Sequence, residues 1–194
     1  MKFIFVCLIL FFNLISFASE KSHSSEVTVT VNKSGNLFEI QASYVTSMDI
    51  CNAFNFITDY EDAKNIPGVI VSRVLSRTDN KVLVERKAKE TILMFPLEIS
   101  SIIEYIETPN QGLKFEQIRG DNKMYKGTWR LDEKEGFTKL TYQSVVEPNS
   151  SAPDMVLEYF MRNIIRKRFE AMADRAILRS QTNSQYCPKI NANN

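Results

Sequence analysis

The sequence has little with which to do acid–base or metal chemistry. It holds one histidine, His23, ahead of every strongly patterned segment. That excludes Ser–His and Cys–His nucleophilic schemes and leaves no imidazole base in the body of the chain. The three cysteines, Cys7, Cys51 and Cys187, are too few and too isolated for a metal site, and no zinc, calcium or phosphate-loop spacing occurs. No metal or other cofactor is expected. Charge of one sign is not in excess either: 24 Lys+Arg stand against 23 Asp+Glu. Nucleic-acid binding, which needs a basic surplus, is not expected. After residue 20 there is no apolar run long enough to span a bilayer.

The one long apolar run is at the start. Lys2 precedes an unbroken apolar stretch over residues 3–12, and Ser16-Phe17-Ala18 places small residues three and one positions before Ser19. This is the pattern of a signal peptide covering residues 1–18, cleaved near Ala18. Lys2 is the only charge it removes, so Lys+Arg and Asp+Glu then balance. The expected location is the periplasm or the outside of the cell. Cys7 lacks the small neighbours of a lipid-attachment signal. Only Cys51 and Cys187 remain after cleavage, in a compartment that permits a disulfide. Two states stay open: a bridge, or one buried thiol and one loose tail thiol.

The remaining length suits a single domain of ordinary composition. Residues 19–35 read as a leader and an N-terminal strand in which Val27, Val29 and Val31 alternate with threonines. Phe38, Ile40, Ala42 and Tyr44 alternate on the returning strand. Ser47 is placed to cap a helix whose apolar stripe is Ile50, Ala53, Phe54 and Ile57, and a short helical piece follows at 60–64. Alternating segments then succeed one another to residue 147, joined by turns too short for parallel crossovers. From Ala152 to about residue 180 the period is helical, with Leu157, Phe160, Met161, Ile164, Ile165, Phe169, Met172, Ala173 and Ala176 on one broad face. At 1.5 Å per residue such a helix is about 40 Å long, enough to cross a sheet. Residues 181–194 read as a tail.

This order predicts an α+β fold: a curved antiparallel sheet wrapped around a long C-terminal helix, with two short helices after the first long strand. Aromatic side chains with polar tips concentrate on the inward faces of the strands. Tyr44, Tyr105, Phe115, Tyr125, Trp129 and Tyr142 from the sheet, with Phe160, Met161 and Ile164 from the helix, are the candidate ligand-binding residues. The same set can instead pack as a filled core. Asp59, Glu61 and Asp62 read as solvated acids, and Glu90, Glu104 and Arg119 read as outward-facing. Arg162, Arg166, Lys167 and Arg168 form a basic run. It suits a transient membrane-surface contact or, more simply, an outer stripe pairing Glu158 with Arg162 and Arg166 with Glu170.

Several segments resemble one known family. Thr58-Asp59-Tyr60-Glu61 followed by Ile66-Pro67-Gly68-Val69 is similar to the post-helix signature of the START-like superfamily (SRPBCC), also described as polyketide cyclase/dehydrase and lipid transport. Gly120-Asp121 leading to Lys126-Gly127-Thr128-Trp129-Arg130-Leu131 resembles its penultimate hairpin. Thr138-Lys139-Leu140-Thr141-Tyr142 with Glu147-Pro148 resembles its last strand. The resemblance covers residues 36–180 and extends to coenzyme Q-binding members. It implies the helix-grip fold, with an apolar tunnel between sheet and helix.

The function expected on this basis is that of an exported, monomeric protein binding a hydrophobic or amphipathic small molecule such as a lipid, a quinone or a polyketide. It would act as a carrier or sequestering protein rather than an enzyme. A polyketide cyclase- or aromatase-like enzyme is the alternative, and a protein-interaction module with a filled pocket a second. No catalytic residue is assigned. Export makes a direct prediction: intact-mass measurement on protein from the native host should give a chain beginning at or near Ser19. Cytosolic protein that retains Met1 and the apolar run contradicts it.

Overall fold

The computed structural model describes residues 26–92 and 94–182, with Phe95 described by its backbone alone. The signal segment, Cys187 and nearly all of the expected tail lie outside the described residues. A hairpin of β1 (Thr28–Ser34) and β2 (Leu37–Thr46) is followed by α1 (Ile50–Thr58) and a 3₁₀ helix (Glu61–Asn65). A meander comes next: β3 (Val69–Thr78), β4 (Lys81–Ile92), β5 (Phe95–Thr108), β6 (Gly112–Gly120), β7 (Asn122–Lys134) and β8 (Phe137–Pro148). The described chain closes with α2 (Asp154–Tyr159), a π-helical turn (Phe160–Ile164) and α3 (Ile165–Thr182). The residues at both junctions keep right-handed helical backbone, so these three form one continuous helix.

The strands make one eight-stranded sheet in the order β1-β2-β8-β7-β6-β5-β4-β3, antiparallel throughout. Because β2 pairs with β8, the N-terminal hairpin extends the meander from its last strand, and the crossover through α1 carries the chain to the opposite edge. This is the expected α+β helix-grip architecture. Strand alternation decides which side chains face the helix: along β2, Phe38, Ile40, Ala42 and Tyr44 are buried while Glu39 and Gln41 between them are exposed. The helix α1 is capped by Asp49 rather than Ser47, its carboxylate accepting from the Asn52 amide at 2.7 Å. Ser47 instead donates to the Ser180 hydroxyl at the far end of α3.

The two sheet edges are protected differently. On β1, Arg162 donates to the Val31 carbonyl at 3.0 Å and Arg166 to that of Val29 at 2.8 Å. These are outward carbonyls of an edge strand, with no ninth strand among the described residues to pair them. The outer stripe of i,i+4 pairs expected for these arginines does not form. An exposed ion pair has little net value, whereas the edge carbonyls would otherwise lack a protein donor, and Glu158 is held by Lys33 at 2.9 Å. On β3, two register irregularities interrupt the other edge, a common way of blunting it.

The core falls into two clusters. The larger lies between the sheet and α2–α3. The smaller lies under α1 and gathers Tyr44, Met48, Phe54, Phe56, Leu131, Leu140, Ala173 and Ala176. Thr138 is fully buried there and donates to the Met48 carbonyl at 2.8 Å, tying β8 to the start of α1. Tyr44 is also buried, but its hydroxyl has no hydrogen-bond partner among the described residues, and burial pushes its phenol well above the ordinary range. Removing an unpaired, desolvated hydroxyl loses no bond. Tyr44→Phe should therefore leave the denaturant midpoint unchanged or raise stability by roughly 1–2 kcal/mol. A loss of more than about 1 kcal/mol would show that the hydroxyl is satisfied and this packing is misread.

Candidate functional site

Between the concave face of the sheet and the C-terminal helix lies a cavity of about 220 Å³. Its floor is a row of rings carried by neighbouring strands. Tyr105 of β5 pairs in register with Phe115 of β6, and Trp129 of β7 with Tyr142 of β8. Ring centroids lie 5.9 Å apart for the first pair, 5.0 Å for the second and 5.7 Å between Phe115 and Tyr142, the last nearly parallel. Gly127 makes this row possible. A Cβ built there would lie 2.7 Å from the Phe115 ring and 2.2 Å from the Gln143 carbonyl. The space that glycine opens is thus filled by Phe115 rather than by a ligand or a helix side chain. Phe169 of α3 closes the row from above, 5.0 Å from Tyr142 and 5.9 Å from Trp129.

Seven of the nine candidates line this cavity: Tyr105, Phe115, Tyr125, Trp129, Tyr142, Phe160 and Met161. Two do not. Tyr44 stands behind Trp129, edge-on to it at 6.4 Å, inside the smaller cluster. Ile164 packs, partly buried, against the larger core cluster without lining the cavity, and Ile165 takes its place in the wall. The cause is the π turn: from Phe160 the cavity-facing repeat becomes five residues instead of four, so an α-helical count lands one position short. Cys51 is disulfide-bonded, and its expected partner, Cys187, lies outside the described residues.

Charged groups also enter the wall. Arg168 and Glu90, expected to face water, are paired there at 3.1 Å, and Arg86, which the sequence reading did not single out, lines the cavity as well. The signal was present in the strand parity: Val82, Val84, Arg86, Ala88, Glu90 and Ile92 share the inward face of β4, and the valines are fully buried. On the helix, Arg168 recurs with Met161, Ile165 and Met172. Burial pushes the Arg168 guanidinium down and Glu90 pulls it back up. An arginine stays charged through any such shift. Gly68 makes room for this pair: its φ is +77°, and a Cβ there would collide with the Glu90 carboxylate and the Arg168 guanidinium.

The acids after α1 are not free in water either. Asp62 pairs with Arg175, and Asp59 with Arg179 at 2.9 Å, joining the α1–3₁₀ segment to α3 at the cavity. Burial pushes the Asp62 carboxyl up, but Arg175 and Asn65 more than offset it and hold it below the usual range. Glu104 meets Lys81 at 3.7 Å, and Arg119 is exposed as expected. Tyr60, missed in the sequence, lies tilted against Tyr105 with ring centroids 4.5 Å apart and donates to Glu107, which also accepts from Arg77.

Tyr60, Tyr105 and Tyr142 of the wall are held in their protonated form. Burial pushes Tyr105 up to about 12 even with the Arg86 charge beside it. Tyr60 and Tyr142 are raised too, by burial first and then by Glu107 and by Tyr125 respectively. These phenols stay protonated at neutral pH and serve as hydrogen-bond donors, not as bases. The Tyr125 and Tyr142 hydroxyls already meet at 3.1 Å. Among the described residues no cluster of side chains could hold a metal ion, and no helix is long and apolar enough to cross a membrane.

Comparison with known proteins agrees with this geometry. No curated protein matches the chain. Among solved structures it is similar to a STAR-related lipid transfer protein from Xanthomonas axonopodis, at 14% identity and a TM-score of 0.65 over 81% of this chain and 96% of that one. The aromatase/cyclase Zhui from a Streptomyces species gives 12% and 0.62 over 74% and 96%. A START superfamily protein from Mycobacterium smegmatis gives 12% and 0.59 over 75% and 99%. At such identities the likeness is one of fold. The family model for polyketide cyclase / dehydrase and lipid transport matches residues 47–173, from just before α1 to the middle of α3. Over half the chain is matched, and the matched part is the part that builds the cavity: the protein belongs to the polyketide cyclase/dehydrase and lipid transport (START-like) family.

Proposed function

We propose that this protein is an exported carrier or sequestering protein that holds a hydrophobic or amphipathic small molecule between its sheet and its C-terminal helix. The observation that carries the reading is the cavity itself. A core of this size could have been packed solid, yet a chamber of about 220 Å³ is kept open by large aromatic walls. Natural interiors seldom leave such space without a use. Its apolar lining and few convergent polar groups are those of a ligand site. Its volume is below the roughly 300–1,000 Å³ usual for drug-sized ligands, which favours one short chain or one ring system over a two-chain lipid. Export rests on the N-terminal pattern of Lys2, the apolar run and Ser16-Phe17-Ala18.

The likeness to an aromatase/cyclase favours a second reading, an enzyme that shapes a polyketide-like substrate. The described cavity offers protonated tyrosines as acids, while its carboxylates Asp59 and Asp62 and the adjoining Glu90 are each tied to an arginine. A proton-abstracting base is what this reading lacks among the described residues.

Organic extraction of the purified protein followed by mass spectrometry should yield one stoichiometric apolar or amphipathic compound, unchanged on incubation. Trp129, the sole tryptophan, lies in the cavity wall, so its emission should shift or quench when quinones or fatty acids are titrated in. A chemically altered compound after incubation favours the enzyme. Emission that ignores every apolar probe, with nothing extracted, removes the support for a carrier.

A further inference from the structure

Arg86 and Arg168 have a feature that an apolar carrier does not need. The Nε atom of each is buried and has no hydrogen-bond partner among the described residues. Both side chains line the cavity. They come from opposite walls, Arg86 from β4 and Arg168 from α3, and are near enough for the charge of one to weigh on the other. The guanidinium of Arg86 lies 5.9 Å from the Tyr105 ring centroid and donates toward that tyrosine's hydroxyl, and that of Arg168 lies 5.3 Å from the Phe160 ring centroid. These contacts hold each guanidinium at the wall, and its Nε remains the donor without a partner among the described residues. An unpaired donor in a desolvated place costs stability, and such sites persist where a ligand supplies the acceptor.

The charges around the cavity do not cancel. Asp59 is matched by Arg179 and Asp62 by Arg175. Glu90 is matched by Arg168 at 3.1 Å, whereas Arg86 forms no salt bridge with any acid among the described residues. One positive charge is left over inside a mostly apolar chamber. That is an expensive arrangement unless a counter-charge arrives. The Glu90 carboxylate engages an Nη atom of Arg168, so its Nε stays free to donate.

We propose that the ligand of this cavity is a compact amphiphilic carboxylic acid, whose carboxylate is held by Arg86 and Arg168 while its apolar body lies against the aromatic row. This rests on the reading of the cavity as a ligand site. A monoanion balances the surplus charge, and a carboxylate has the acceptor geometry that arginine edges fit. The small volume limits the body to a medium-length chain or a single ring system. The tyrosine hydroxyls, kept protonated by burial, add neutral donors along its path.

The experiment uses the full mature protein and three probes with the same tail: decanoate, decanol and decyltrimethylammonium. Calorimetry, with Trp129 emission as a second readout, gives each affinity. Decanoate should bind roughly 10-fold or more tighter than decanol, the range expected for charge-assisted hydrogen bonds, and the cation weakest of all. In Arg86→Gln the decanoate-to-decanol ratio should fall toward one, and Arg86→Lys should restore part of it. The double variant Glu90→Gln/Arg168→Gln, which removes both members of an ion pair and so adds no new unpaired charge, should lower the ratio as well. Decanol binding as tightly as decanoate in the unmodified protein overturns the carboxylate inference but leaves the carrier intact. A preference that survives both Arg86→Gln and the double variant also overturns it. Failure of all three probes to bind overturns the ligand-site reading along with it.

Discussion

Arginines at its rims tie the C-terminal helix to the sheet and to the segment after α1. Arg162 and Arg166 reach the free carbonyls of β1 on one side. Arg168 reaches Glu90 of β4, and Arg175 and Arg179 reach the acids after α1 on the other. Long side chains span the gap that the curvature of the sheet leaves and set the height at which the helix rides above it. Apolar contact runs along the same helix, from Val156, Phe160 and Met161 through Phe169, which meets Tyr142 and Trp129, to Ala173 and Ala176. The remainder of the interior can stay open. A helix held only by apolar packing would gain stability by sinking until the space closed.

That suspension explains why charged residues recur along the final helix of a protein that is nearly neutral overall. Each arginine does two things: it satisfies an acceptor that would otherwise be unpaired, and it lays its apolar stem along the sheet. The glycines that matter belong to the same design. Gly68 leaves space for the Glu90–Arg168 pair, and Gly127 lets Phe115 lie flat toward Tyr142. Both stand inside segments that resemble the family signature, so the steric need at those positions gives a physical reason for the motif.

Much of this was legible in the sequence because sheet alternation has a fixed period. Counting by twos along β6, β7 and β8 found Phe115, Tyr125, Trp129 and Tyr142, and turn lengths gave an antiparallel meander. The misses have separate causes. Ile164 was chosen because an α-helical repeat was assumed through a π turn, which single-sequence periodicity does not reveal. Tyr44 has the right parity but lies at a height on the sheet that belongs to the second cluster. Glu90 was read as outward-facing because charge was given more weight than parity, and Arg86 on the same face was not singled out, although Val82, Val84 and Ala88 marked that face as inward. The partners of Asp59 and Asp62 lie more than a hundred residues away, on α3, and no local pattern joins them.

The central claim is that the space beneath the π turn and α3 is occupied by ligand in the working protein. Methyl NMR on protein carrying labelled methionine tests it most directly. Met161 and Met172 line the cavity, while Met48 is buried in the second cluster and Met155 is exposed on α2. Addition of decanoate should shift the Met161 and Met172 methyls in step and to saturation, with Met48 and Met155 unmoved. Saturable shifts at Met155 alone, or binding that leaves both cavity methyls in place, would put the ligand somewhere else and contradict the account.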